Sequence, residues 1–194
     1  VTDERLSRWG VSPEEVAVWR QQCAQKVNAP LTHAAGRVFD AFSALLGIAP
    51  ETVTYEGQSA IRLEAAARRA MRGDVPHLPF AHSEKEGKLV IDWHDAFALL
   101  ADARLTAGRE DEWAYAVHCA IADAALIMVN YGLSHGPACP VALSGGVFMN
   151  RILTDLVVPR LEEQGLRVLI PRRVPPNDGG VALGQAVVAG SARF

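Results

Sequence analysis

A chain of 194 residues is long enough to bury a stable core, as one domain or as one lobe of a larger enzyme. Its 19 Lys and Arg against 22 Asp and Glu leave a formal charge of −3 and no basic stripe, which argues against nucleic acid as a direct partner. The three cysteines, Cys23, Cys119 and Cys139, are odd in number and widely spaced, so neither a disulfide framework nor a zinc knuckle is expected within the chain, and a reduced, cytoplasmic setting is.

The N-terminus is polar rather than a signal peptide, and no apolar run approaches the roughly 20 residues that cross a bilayer, so no membrane partner is expected. The opening residue is Val1, not Met, which suggests a piece of a longer multidomain protein.

The first helix begins where Ser12 caps, Pro13 takes the first helical position and Glu15 completes a capping box; Val16, Trp19 and Cys23 share one face. After a turn at Asn28, Ala29 and Pro30, a second helix presents Val38, Phe39, Phe42, Leu45 and Leu46, with Gly47 as its stop. An extended entry then turns at Glu56 and Gly57 into an Ala-rich helix reaching about residue 72, with Gly73 as its end. Residues 73–86 read as an irregular surface loop before a short strand near 88–93. Two helices follow, near 95–104 and 111–131, the second apolar enough for deep burial. From 136 onward the pattern is strand, helix, strand, loop, helix, the parallel α/β order of doubly wound folds. The chain therefore divides into a mainly helical part, 1–135, and a β-α-β-α core, 136–194.

Two stretches of that core share a grammar: SGGVFMN and PPNDGGVALGQA each run through paired glycines into a helix. Such a turn leaves backbone N–H groups unpaired and lets a ligand approach the main chain, which suits an anion or nucleotide; plain turn chemistry is the alternative. Ligands of open α/β sheets bind beyond the carboxyl ends of strands, where Ser144, Gly145 and Gly146 should lie. In the second turn, Asn177-Asp178-Gly179-Gly180, a carboxylate stands beside a helix start, either as a metal ligand or as an N-cap. The dinucleotide fingerprint and the P-loop are both absent.

His77, His82 and His94 lie near Asp92 and Asp95, a metal site or an exposed polar loop. His118 and Cys119 fit helix packing, Cys139 a small core residue or a cleft wall, and Arg172 and Arg173 exposed charge.

The two glycine turns, with NAPLTHAAGRVFDAFSALLGI and VTYEGQSAIRLEA upstream, resemble the C-terminal half of the HypF hydrogenase-maturation carbamoyltransferases, four blocks in the family's order from about residue 28 to 186. The resemblance implies an α/β fold, one lobe of an actin-like ATPase (ribonuclease H-like) architecture with a large helical insertion. It also implies an ATP-dependent carbamoyltransferase: one domain makes carbamoyl adenylate, and a two-lobed domain passes the carbamoyl group to the C-terminal cysteine of HypE. That group becomes a cyanide ligand of [NiFe] hydrogenase.

Residue by residue, the resemblance places nucleotide (ATP or carbamoyl adenylate) against Ser144, Gly145, Gly146 and Asn150, with Asn177 and Gly179. Helical contacts fall on Gly36, Arg37 and Asp40, and on Glu56, Gly57 and Gln58, where Asp40 or Glu56 would accept from ribose hydroxyls. Asp178 would hold a divalent metal (Mg, Fe or Zn) shared with a first lobe absent from this chain. HypE and the N-terminal domains of the same protein are the partners implied, and an isolated lobe is expected to be inactive. Where the family usually reads Thr-Ser-Ser, this chain has His33, Ala34 and Ala35 after Thr32, losing hydroxyls. The rival readings are a docking module for HypE and a relative working on threonylcarbamoyladenosine of tRNA; the acidic charge and YEGQ disfavour the latter.

Overall fold

The computed structural model describes residues 10–71, 74–102 and 106–191. Seven helices and four strands run in the order α1 (Pro13–Gln25), α2 (Ala35–Leu45), α3 (Gln58–Ala70), β1 (Ala81–Lys85), β2 (Lys88–Asp92), α4 (His94–Leu100), α5 (Glu110–Ser134), β3 (Val141–Ala142), α6 (Arg151–Glu163), β4 (Val168–Leu169) and α7 (Val181–Ser191) among the described residues. Two 3-10 turns, Gly146–Met149 and Asp178–Gly180, precede α6 and α7. The chain forms two compact units, Val1–Ser83 with Ile91–Val117, and Glu84–Val90 with His118–Phe194; the β1–β2 hairpin and α5 supply residues to both.

In the first unit the local signals act as expected. Ser12 and Glu15 exchange hydrogen bonds with each other's backbone N–H at 3.2 and 2.8 Å, which starts α1. Of the anticipated face only Val16 is buried; Trp19 is 47% exposed and Cys23 is exposed, so α1 is a lightly anchored helix. The amphipathic α2 buries Phe39, Phe42, Leu45 and Leu46, and Gly47 closes it. Its Phe42 ring stacks on Phe97 of α4 (centroids 4.7 Å apart) and meets Trp93 edge-on, while Ser43 Oγ donates to the Ser59 carbonyl of α3 at 2.9 Å. Arg69 of α3 grips Asp111 of α5 through two hydrogen bonds, 2.6 and 2.5 Å.

Two sequence expectations need correction here. Residues 81–85, assigned to a loop, form β1 and turn at Glu86 and Gly87 into β2. All five side chains of β1 are exposed, so no alternation of apolar residues marks it. The expectation that no apolar run could cross a bilayer fails for α5, a 25-residue helix that suffices by length and composition. Its buried residues, among them Trp113, Val117, His118, Ile121 and Leu126, are those of a core helix. The end of α3 at Gly73 and the last residues of the helix expected over 95–104 lie outside the described residues, and α4 is observed to Leu100.

In the second unit β3 and β4 pair in parallel, Val141 with Val168 and Ala142 with Leu169. Between them in sequence, α6 buries Ile152, Leu153, Val157 and Leu161 and packs on β4. Arg160 of α6 meets Asp123 of α5 at 2.7 Å. The helix expected to run unbroken from Phe148 is divided: residues up to Met149 form a 3-10 turn, and Asn150, with ψ 111°, caps a fresh start at Arg151. By contrast, α7 buries none of its residues.

Candidate functional site

Both glycine turns of the second unit line one open pocket of about 350 Å³, formed by Ser144, Gly145, Pro171, the loop 174–178, Gly180 and Val181. The parallel pair β3–β4 delivers both turns to one end of the strands, the end at which open α/β sheets take ligands. Gly145 N donates to the Pro176 carbonyl at 2.8 Å, a backbone bond that ties the first turn to the second.

Each turn needs glycine for a different reason. Gly145 holds φ 97° and ψ 158°, a region closed to residues with a Cβ. Gly180 has an ordinary φ, but a Cβ there would stand 2.7 Å from the Pro175 carbonyl oxygen. Gly146 is held by neither constraint: a methyl group at its Cα would meet nothing nearer than Asn177 Cβ at 3.8 Å, so the position stays open toward the pocket loop.

The donors of the first turn are partly used. Phe148 N bonds Gly145 O and Asn150 N bonds Val147 O, both at 3.1 Å; among the described residues no such bond runs from Gly146 N or Val147 N. Two adjacent backbone donors at the start of a turn, facing no acceptor of their own, can take an anion. In the second turn Asn177 Oδ1 accepts from Gly179 N at 3.1 Å, so Asn177 is the cap and Asp178 is left exposed beside the pocket. The two readings of the NDGG stretch thus fall on different residues: capping on Asn177, an exposed carboxylate on Asp178.

Asn150 lies at the end of the first turn with its carboxamide engaged: Oδ1 caps α6 through Leu153 N at 2.9 Å, and Nδ2 is 2.8 Å from His118 Nε2. His118, read from sequence as helix packing, is fully buried and bonded to this turn. A lone histidine in an apolar helix carries no sign of that contact 32 residues on.

The remaining candidates lie in the first unit. Gly36, Arg37 and Asp40 occupy the start of α2, where Arg37 and Asp40 pair with each other at 2.8 Å. Glu56 is exposed, Gly57 caps α3 in a left-handed conformation, and Gln58 is buried with Oε1 accepting from Thr54 N at 2.8 Å. Gln58 therefore shapes the turn that presents Glu56. No three His, Cys, Asp or Glu side chains converge as a metal cluster among the described residues, the group around His77, His82 and His94 included. Cys139 is exposed rather than core, as are Arg172 and Arg173.

Residues 2–185 match the family model described as carbamoyltransferase, Kae1-like domain, second subdomain. The chain is 42% identical over 178 residues to carbamoyltransferase HypF of Rhodobacter capsulatus, covering 92% of this chain and 22% of that protein. It is 32% identical to the probable carbamoyltransferase HypF of Methanocaldococcus jannaschii, over 91% of this chain and 22% of that one. Among solved structures, full-length HypF in its phosphate- and nucleotide-bound form superposes with a TM-score of 0.82 at 28% identity, covering 93% of this chain and 23% of that one. HypF of T. kodakarensis does so with 0.73 at 29% identity, covering 98% and 24%. The chain thus spans less than a quarter of the length of these relatives, and the fold expected from sequence, an actin-like lobe with a helical insertion, is borne out.

Proposed function

Because this chain belongs to the family of carbamoyltransferase Kae1-like second subdomains, we propose that it is the lobe of a hydrogenase-maturation carbamoyltransferase that holds the phosphate end of ATP or carbamoyl adenylate. The observation that carries this reading is the pocket of about 350 Å³ lined by Ser144 and Gly145 of the first glycine turn and by Asn177, Asp178 and Gly180 of the second, with Gly146 N and Val147 N next along the chain. That a solved relative is described as phosphate- and nucleotide-bound supports it further.

The geometry supports the following division of labour. Gly146 N and Val147 N donate to phosphate oxygens, and the Gly145 N bond to Pro176 O keeps the turns from separating when charge enters. Gly180 keeps the floor of the second turn close to Pro175, and Ser144 offers a hydroxyl at the rim. Asp178 would give one oxygen to a divalent cation; one carboxylate is an incomplete set, so the remaining ligands come from phosphate, water or a further lobe. Bound there, a cation would neutralise phosphate charge and polarise the carbamoyl group. Carbamoyl transfer then consists of a partner thiolate, that of the HypE C-terminal cysteine, attacking the carbamoyl carbon as the adenylate oxygen leaves with its electron pair. What this chain supplies is position and electrostatics rather than a nucleophile.

Titration calorimetry of ATP with magnesium into this chain, into the full-length protein and into both as Gly146→Arg tests the reading. Saturable binding that the arginine side chain abolishes is expected; equal binding by parent and variant would overturn it. In the full-length protein Asp178→Ala should abolish most carbamoyl transfer, and unchanged activity would remove Asp178 from the metal site.

A further inference from the structure

The bond between His118 and Asn150 has a direction that the rest of the turn dictates. Asn150 must present its oxygen to α6, since the Leu153 N–H that it caps can only donate. Its nitrogen is thereby turned to His118 Nε2, and a carboxamide nitrogen has no lone pair to offer. Nε2 must accept, so the buried ring is neutral with its proton on Nδ1. One helix cap thus selects the tautomer of a side chain on another helix.

The same residue closes the glycine turn from behind. Asn150 N bonds Val147 O at 3.1 Å, and Asn150 O accepts both Thr154 N at 3.1 Å and Thr154 Oγ1 at 3.0 Å. Thr154 Oγ1 also reaches Phe148 O at 3.3 Å. The Asn150 side chain itself holds only the Leu153 N cap and His118, so its rotation would uncap α6 at the very residue whose backbone closes the 3-10 turn carrying Gly146 N and Val147 N.

Building on the pocket reading above, we infer that His118 is a positioning residue for the phosphate-binding turn, acting through Asn150 as an obligatory hydrogen-bond acceptor. It touches no ligand itself. Its contribution is the acceptor at Nε2, held rigid because the ring is fully buried in α5.

Two substitutions in the full-length protein separate this role from packing. His118→Leu keeps an apolar side chain of similar bulk without an acceptor; His118→Gln places Oε1 near the position of Nε2. With magnesium-ATP as the probe in calorimetry, His118→Leu should bind about tenfold or more weakly, and His118→Gln should recover most of the loss. Gly146→Arg is run beside them. If it loses binding while His118→Leu retains it, or if Gln fares no better than Leu, the positioning role falls and the pocket reading stands. If Gly146→Arg binds as the parent does, the pocket reading falls and takes this inference with it. The ring itself gives a readout independent of nucleotide and of whether His118→Leu folds. Nitrogen-15 histidine spectra of the unsubstituted protein at neutral pH should show His118 protonated at Nδ1 and bare at Nε2, and a proton on Nε2 would overturn the inference.

Discussion

Single residues in the two turns predict opposite responses to the same methyl group. Gly146→Ala should cost less than about 0.5 kcal/mol, because its added Cβ meets nothing nearer than 3.8 Å. Gly180→Ala should cost about 1–3 kcal/mol, since 2.7 Å to a backbone oxygen can be relieved only by moving the turn. Urea midpoints of the two variants measure the contrast, and equal midpoints would mean the second turn is more pliant than its geometry. Ala34 offers a gain instead. It occupies the N-cap of α2 with no side-chain hydrogen bond, where a hydroxyl could accept from the first turn. Ala34→Ser should stabilise by about 1 kcal/mol, read as a higher urea midpoint and slower amide exchange in the first turn of α2.

At the scale of elements, Asn150 joins three of them: the 3-10 turn, α6 and, through His118, α5. Asn150→Ala removes both the cap and the partner of His118 Nε2, and should cost about 2–4 kcal/mol. Asn150→Ser keeps an oxygen for the cap but does not reach His118, so about 1–3 kcal/mol is expected, and denaturant unfolding should rank Ala below Ser. These elements also mark how far sequence reasoning reaches. The caps at Ser12 and Gly47, the apolar face of α2 and the two glycine turns are local chemistry, legible in a few consecutive residues. What escapes is non-local or unpatterned. The wholly exposed β1 carries no apolar alternation, and of the face that spacing predicts for α1 only Val16 is buried. The site divides likewise: paired glycines announce the pocket, but nothing in a lone histidine of an apolar helix points to Asn150.

At the scale of the molecule the second unit ends in a helix that does not suit water. Val181, Leu183, Val187 and Val188 of α7 are all at least half exposed, and Leu169 and Ile170 of the neighbouring strand segment are open as well. A helix that is apolar all round belongs inside a protein, and two short parallel strands do not make a sheet that stands alone. The HypF relatives are over four times as long as the aligned chain, so in them further polypeptide is available to cover the corresponding surface. A double substitution, Val187→Lys with Val188→Glu, places charge at the two most exposed valines of α7, 61% and 69% accessible. In this chain alone it should reduce self-association, seen as a smaller sedimentation coefficient or loss of concentration dependence. In the full-length protein the same pair should lower the melting temperature, because each charge would then be buried without a partner. An unchanged melting temperature in the full-length protein would mean that α7 faces solvent there too, and that its apolar surface serves a separate partner.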